Sequence, residues 1–538
     1  MKHFSKFMAA MMVLSSLSII SCSEENVNGP TTPDDPEAKN VVYSKIRFRL
    51  PESSRSAAKE GEEIGTAAEN NIGSILVVLA TKGDDGTYTY LTHALSDATV
   101  SNTATSTHTI VFQNKTTLIE HAGEEVSIFA YCNPTEALRS TILAMPDATD
   151  KTFTDLICNE NVATTWSGNG FLMTNATLKD GVKLGNGATK AEAQADIKTH
   201  NTPENALDLG TVDVIRTACR LDYRDGSPAD TDPFTYNIKD PNDDTKTVAK
   251  VRLNRMALVN RRNEFYYLPR VNDGNKTTPK VTLCPGLLDN GMEINTPGWI
   301  VSPTTASFTW ENPTNITKAE DVTSLEWTAL ADLAADDTDD TDWTGTVTPS
   351  DGYKIWTYTT ENTNNGSTDL SIQKTTGILF EAEISDVEGA DGTAPMYLFG
   401  NTIYATAARI KAAAEATPVS NIATAYNAAF NTDGTPKSDQ EVMDAGFSIY
   451  NPTTGADGNK HYFCYYWYYI KHNDDSNPTT TGTMEYATVR NNIYKLSVTN
   501  IKGFGAYKPD EKVEDWDAYF KMSVQVKKWV VRVNNIEL

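Results

Sequence analysis

The sequence predicts a mainly β fold, arranged as two β-sandwich domains with a few short helices. Three observations carry that expectation. The chain is 538 residues long, more than one hydrophobic core usually organises, so two domains follow. Apolar residues recur with a period of two in many short runs separated by Gly, Asp, Asn and Pro turns, which is the pattern of strands. Helical periodicity is rare, while aromatic residues are common, with 23 tyrosines, and such side chains suit pleated, half-buried surfaces.

The order of elements follows from these patterns. Val41 to Leu50 alternates, with Ile46, Phe48 and Leu50 on one face and Lys45, Arg47 and Arg49 on the other. A loop-like run, Pro51 to Ser56, comes next. Ile72 to Leu79, Tyr88 to Leu91, Thr107 to Phe112, Glu125 to Tyr131 and Phe171 to Met173 continue the strand pattern. Thr211 to Tyr223 and Thr247 to Val259 read as paired strands. The segment Arg261 to Thr278 is basic and polar with Pro269, and the boundary between the domains is placed there. The N-terminal sandwich is thus expected over 56–265 and the C-terminal one over 266–538.

In the second half, Ile355 to Tyr358, Ile378 to Ile384, Lys460 to Lys471 and Ile493 to Ile501 read as strands. Asn401 to Glu415 breaks the pattern. It is rich in alanine, has Ile403, Ala407 and Ile410 at helical spacing, and is followed by Pro418, so a helix is expected, continued over Asn421 to Phe430. The last stretch alternates again: Met522, Val524 and Val526 share one face. After Lys527 and Lys528 the apolar parity switches to Trp529, Val531 and Val533, which predicts a long strand with a bulge at the lysine pair.

The net charge is −25, from 71 acidic and 46 basic residues. Such a surface repels nucleic acid and anionic membranes and favours solubility, so a nucleic-acid partner is excluded. At the start, Lys2, His3 and Lys6 precede an apolar run, Phe7 to Ile20, which is a secretory signal over residues 1–21. The run is short for a membrane span. Its end, Ile19-Ile20-Ser21-Cys22, resembles the lipobox of bacterial lipoproteins. That resemblance implies that Cys22 is lipidated after cleavage and holds the precursor on a membrane. Residues 22–55 then form a propeptide: a polar, proline-containing tether to Asn40, followed by the first strand.

Of the six cysteines, five remain beside Cys22. An odd number at wide spacing is no disulfide framework, and the reading is buried small apolar residues. No catalytic signature is present: no Gly-x-Ser-x-Gly, no His-Glu-x-x-His, no phosphate-binding loop. The histidines lack ligand spacing, and no metal or cofactor is expected. Asp336 to Asp342 is acidic but lacks the glycine of a tight calcium loop, and reads as a solvated loop. The aromatic run Tyr462 to Tyr469, with Trp467, suggests either a carbohydrate platform or a core strand, and alternation favours the core strand.

Two further runs carry a wider resemblance. Cys464-Tyr465-Tyr466-Trp467 is followed by Met484-Glu485-Tyr486-Ala487-Thr488-Val489-Arg490-Asn491-Asn492-Ile493-Tyr494, and the chain closes with Met522 to Val526, Trp529, Val531 and Leu538. With Ile215-Arg216-Thr217-Ala218 and Phe171-Leu172-Met173-Thr174, these segments resemble the fimbrillins of type V pili in the Bacteroidetes, in particular the Mfa-type major subunit. The resemblance implies two transthyretin-like sandwiches and a lipidated precursor carried to the outer membrane. It implies an arginine-specific protease as a partner, cutting between Arg55 and Ser56. Arg47 and Arg49 are nearby alternatives, ranked lower because they lie inside the proposed strand, where paired backbone resists a protease. It also implies other copies of the chain and accessory fimbrial subunits as partners, and adhesion to a host or bacterial surface ligand.

The residues agree with that implication on physical grounds. Removing the chain up to Arg55 would take Ile46, Phe48 and Leu50 out of a core, at about 1.5–3 kcal/mol per side chain, and leave an open sheet edge. An open edge is a template for another strand. The last strand of a neighbour, carrying Met522, Val524, Val526, Trp529, Val531 and Val533, is the expected replacement. Head-to-tail contacts of this kind generate a filament. Two other readings stand beside the shaft subunit: an anchor or tip subunit of the same fold, and a glycan-binding surface lipoprotein.

Overall fold

The computed structural model describes residues 41–50, 52–53, 62–66, 68–97, 105–146, 153–159, 170–262, 264–275, 277–278, 280–288, 291–292, 298–303, 325–334, 352–363, 376–455, 457–472, 484–509 and 520–532. The fold is mainly β, as the sequence predicts, with short helices between strands.

The first core is enclosed by an eight-stranded sheet. Its order is Tyr88–Ser96, Ile75–Lys82, Glu125–Cys132, Met173–Asn175, Leu207–Arg216, Val42–Arg49 and Thr105–Phe112, with Lys179–Lys183 pairing off this path to Glu125–Cys132. The two ends, Tyr88–Ser96 and Thr105–Phe112, approach each other, so the sheet curls over one core. Ile75 to Ala80, on the strand next to one end, is buried on both faces.

The second core lies between two six-stranded sheets. One runs Glu52–Ser53, Phe520–Arg532, Asn492–Ile501, Ala218–Tyr223, Lys354–Thr360, with Glu62–Ile64 also on Phe520–Arg532. The other runs Thr235–Asp240, Asp243–Val259, Gly377–Ser385, Lys460–Tyr469, Pro452–Thr454, with Trp327–Ala329 on Asp243–Val259. Leu221, Leu496 and Val498 from the first of these sheets meet Val251, Phe380 and Tyr466 from the second.

A smaller unit sits beside this sandwich. A three-stranded sheet, Thr402–Tyr404, Met396–Phe399, Phe447–Tyr450, packs with the helices Ala407–Ala416, Asn421–Ala429 and Asp439–Asp444 around Tyr397, Ile410, Tyr426, Phe430 and Phe447. The expected helix from Asn401 therefore begins later, at Ala407. Thr402, Ile403 and Tyr404, β-branched or aromatic, pair with Met396–Phe399 instead. Asn421–Ala429 is a separate helix, not a continuation. Helix Ala407–Ala416 stops before Pro418, and the Ser420 hydroxyl caps the new one at the Ala423 amide.

The chain crosses from the first sheet to the second at one residue. Leu207–Arg216 belongs to the first and Ala218–Tyr223 to the second, with Thr217 between them. Later the chain returns: Phe265, Tyr267, Leu268 and Cys284 join the first core. The expected boundary near 265 thus does not separate the two cores. Residues 218–259 build the second sandwich, and the basic stretch after Arg261 leads back to the first.

The five described cysteines, Cys132, Cys158, Cys219, Cys284 and Cys464, are buried and free. Among the described residues no helix is long and apolar enough to cross a membrane, which says nothing about a membrane-spanning β-barrel.

Candidate functional site

The leading strand, Val42–Arg49, is held on both sides. Against Thr105–Phe112 it is antiparallel, from Val42 opposite Phe112 to Arg49 opposite Thr105. Against Leu207–Arg216 it is parallel, with Ser44 opposite Leu207 and Arg49 opposite Asp213. Between Lys45 and Arg47 the partner advances one residue more, from Asp208 to Thr211. Gly210, at φ +87°, stands in that bulge, in a backbone conformation that a side chain would strain.

The alternation read in the sequence has its physical cause here. Val42, Ile46, Phe48 and Leu50 are buried in the first core, none more than 3% exposed. Their neighbours Lys45, Arg47 and Arg49 lie on the outer face over two carboxylates. Arg47 reaches Asp208 at 3.2 and 3.3 Å and Thr211 at 3.1 Å. Arg49 makes a two-pronged contact with Asp213 at 2.6 and 2.9 Å. Lys45 stands 4.0 Å from Asp208. Burial pulls Asp208 upward, but the Gly210 amide and Arg47 outweigh it and hold the carboxyl below its ordinary range. The Phe48 ring faces His108 at 5.9 Å, and burial lowers the pKa of that imidazole.

The terminal strand, Phe520–Arg532, pairs with Asn492–Ile501 in the second sandwich. The ladder runs antiparallel from Ile501 opposite Phe520 to Asn492 opposite Lys528. Met522 and Val524 are half-buried against the second core. Of Val526, Trp529 and Val531 only the backbone is described, and Val533 lies outside the described residues. The expected bulge at Lys527 and Lys528 is absent: both pair in unbroken register. The irregularity falls instead on the partner strand, between Val498 and Asn500. What changes at Lys528 is the partner. Beyond it the strand outruns Asn492–Ile501 and pairs in parallel with Glu62–Ile64, over 528–530, and with Glu52–Ser53, over 531–532.

Arg55 and Ser56 therefore belong to the connection between two short pairings on the same end of the terminal strand. They lie outside the described residues, as does Cys22. Arg47 and Arg49 are inside a paired strand, with their guanidinium groups on carboxylates.

Just after that connection the chain is anchored by charges that the sequence reading missed. Glu69, 1% exposed, takes Arg220 at 3.1 Å and the Tyr358 hydroxyl at 2.8 Å. Arg220 also holds Asp222 through two contacts of 2.8 Å. Arg216 donates to the Glu69 carbonyl at 3.0 Å, to Asn70 and to Asn491 at 3.3 Å. Nearby, Arg490 is paired with Glu361 at 2.6 Å and donates to the carbonyls of Tyr266 and Tyr267. All three arginines are fully buried. They sit where the chain crosses between the cores, and removing one partner from such a cluster leaves an uncompensated buried charge. No spacing rule could have paired them, because Glu69 and Arg220 are 151 positions apart.

The aromatic run is a core strand. Tyr462, Cys464, Tyr466 and Tyr468 face the second core, and Trp467, 5% exposed, donates its indole N–H to the Pro509 carbonyl at 2.8 Å. Among the described residues no three His, Cys, Asp or Glu side chains converge as a metal site. The acidic run Asp336 to Asp342 lies outside them.

Comparison with known proteins adds the following. The family profile described as major fimbrial subunit protein type IV, fimbrillin, C-terminal, matches residues 460–535, which include the aromatic strand, the terminal strand and the terminal strand's partner Asn492–Ile501. No curated protein matches the chain. Among solved structures, it is similar to a putative cell adhesion protein from Parabacteroides distasonis, at 11% identity and TM-score 0.40, over 92% of this chain and 99% of that one. It is similar to a fimbrilin (FimA) from Porphyromonas gingivalis, at 13% identity and TM-score 0.38, over 92% and 99%. A third is the tip fimbrial protein Mfa3 from Porphyromonas gingivalis with a C-terminal truncation, at 10% identity and TM-score 0.36, over 91% and 100%. Residues 460–535 are thus similar to the carboxy-terminal part of a fimbrillin, the major fimbrial subunit protein.

Proposed function

We propose that this chain is a fimbrillin, a shaft subunit of a surface fimbria, made as a lipoprotein precursor and activated by removal of its leading strand. Lipid on Cys22 carries the precursor to the outer membrane. An arginine-specific protease cuts between Arg55 and Ser56. The vacated place between Leu207–Arg216 and Thr105–Phe112 then accepts the terminal strand of another copy, and repetition builds the filament. Accessory fimbrial subunits and a host or bacterial surface ligand complete its set of partners, and the protein carries no catalytic role.

The observation that supports this reading is the position of Val42–Arg49. It is an inner strand of the first sheet, and its apolar face fills the core. A cut after Arg55 separates Val42–Arg49 and Glu52–Ser53 from the body of the subunit, and departure of the leading strand opens both neighbouring edges. The strand fills the core before the cut, so the precursor is self-capped and monomeric.

The test is electron microscopy of the purified precursor before and after mild trypsin, with N-terminal sequencing of the product. The expected result is filaments only after cutting, with Ser56 as the new first residue. An Arg55→Ala precursor that still forms filaments at the normal rate under the protease removes Arg55 as the switch.

A further inference from the structure

We propose that Asp208 and Asp213 read the charge of the incoming strand, fixing its register and direction by taking Lys528 and Arg532 of a second copy. This rests on the strand replacement proposed above and adds what selects the strand.

Both carboxylates stand on the outer face of Leu207–Arg216, and both are occupied by cations of the leading strand: Lys45 and Arg47 at Asp208, Arg49 at Asp213. When that strand leaves, its three cations leave with it. Two bare carboxylates then line an open edge on a chain whose net charge is already −25. A replacement that restores the cations is favoured, and one that sets an acid there is repelled. The bulge at Gly210 fixes the ladder further. The edge does not repeat evenly, so a strand cannot slide along it without losing pairing.

The terminal strand changes partner at Lys528, where Asn492 ends the antiparallel ladder. Beyond it, among the described residues, the strand is held only by Glu52–Ser53, which leave with the leading strand, and by Glu62–Ile64, which the exchange must displace. The residues before it serve their own sheet: Met522 and Val524 pack on the second core. From Lys528 on, the order is cation, Trp529, Val530, Val531, Arg532, Val533. The leading strand reads Lys45, Ile46, Arg47, Phe48, Arg49, Leu50. Setting Trp529 at the place of Ile46 puts Val531 at Phe48 and Val533 at Leu50. It also puts Lys528 at Lys45, beside Asp208, and Arg532 at Arg49, beside Asp213.

Other alignments fail on one count. A shift of one residue turns the cations into the core. A shift of two sets either Asn535 at the place of Leu50 or Lys527 at the place of Ile46. Reversing the strand with Trp529 at Leu50 keeps the apolar match but leaves Val530 beside Asp213. Only one register satisfies apolar and charged faces together. The change of sheet costs one or two rungs of the subunit's own ladder: with Lys528 released from Asn492, Lys527 connects the two sheets as the single residue Thr217 does within the chain.

The experiment is a charge swap in the full precursor, read as filament growth by light scattering after trypsin. Asp213→Arg alone and Arg532→Asp alone each set like charges against one another and are expected to slow growth by about tenfold or more. The double variant is expected to grow within about twofold of the native protein. Asp213→Asn keeps the shape and removes the charge, so it reports the same site where Asp213→Arg loosens the leading strand. It is expected to slow growth less and to lower its sensitivity to salt. Single variants that grow like the native protein, or a double variant no faster than either single, overturn the charge reading while strand replacement stands. Cut native protein that forms no filaments overturns both.

Discussion

Truncating Phe48 separates docking of the leading strand from the rest of the fold. Its ring is 2% exposed within the first core, between Ile46 and Leu50 on the same face. A buried Phe→Ala change costs about 3–5 kcal/mol, from lost transfer energy and the cavity left behind. Phe48→Ala should therefore lower the unfolding free energy of the intact precursor by that amount, measured by urea denaturation with tryptophan fluorescence. After trypsin the difference should vanish, because the residue has gone with its strand. Leu79→Ala is the comparison: Leu79, 0% exposed, lies on a strand that stays. It should cost about 2–5 kcal/mol both before and after the cut. If cut Phe48→Ala protein remains less stable than cut native protein, the severed strand is still bound, and cutting alone does not open the groove. An intact Phe48→Ala precursor within about 1 kcal/mol of the native one would refute the docking energetics themselves.

Three further outcomes follow from the described residues. Glu69→Gln removes the charge facing Arg220 at the crossing between the cores and should destabilise the protein by about 3 kcal/mol or more, read as a lower thermal midpoint. A change within experimental error would mean that Asp222 alone satisfies Arg220. Burial holds the His472 pKa down to about 4, from an ordinary 6.5, with its Nδ1 2.9 Å from the Tyr494 hydroxyl. The folded protein therefore resists protonation that the unfolded chain accepts, so stability falls as pH drops through that window. The loss should total roughly 3 kcal/mol by pH 4, and His472→Gln should flatten that part of the urea midpoint against pH. Burial pushes the Cys284 and Cys464 thiols up to about 12 and raises those of Cys132 and Cys219 as well. These four should stay inert to a thiol reagent at pH 8 until denaturant is added, and a thiol among them that reacts in native buffer contradicts their burial.

Local alternation made much of this architecture readable. Ile46, Phe48 and Leu50 face the core as their spacing requires, and the run Tyr462 to Tyr468 sends every second side chain inward. The parity switch at Lys527 and Lys528 was legible as an event but not as its kind. A bulge and a change of partner both shift parity, and only the ladder ending at Asn492 tells them apart. The crossing at Thr217 left no mark, since the strand pattern runs through it without a turn residue. A boundary read from composition therefore falls in the nearest polar stretch, past the crossing. Thr402 to Tyr404 had helical spacing on paper, and pairing with Met396–Phe399 outweighed it. The buried cluster of Glu69, Arg216, Arg220, Glu361 and Arg490 was invisible for a plainer reason. A charged residue in a sequence looks solvated until its distant partner is known, and burial of each depends on all the others.

The single-residue crossing at Thr217 has a mechanical consequence. In a filament built as proposed, tension enters a subunit along the groove wall Leu207–Arg216 and continues without a turn into Ala218–Tyr223. It then passes sideways to Asn492–Ile501, which runs parallel to that strand, and leaves along Phe520–Arg532. At each transfer the load runs along the strands, so the rungs between them resist together rather than peeling open one at a time. The helical unit around Tyr397 and the sheet that holds Asp243–Val259, Gly377–Ser385 and Lys460–Tyr469 lie off this line of pull. They could unfold under strain without breaking the fibre.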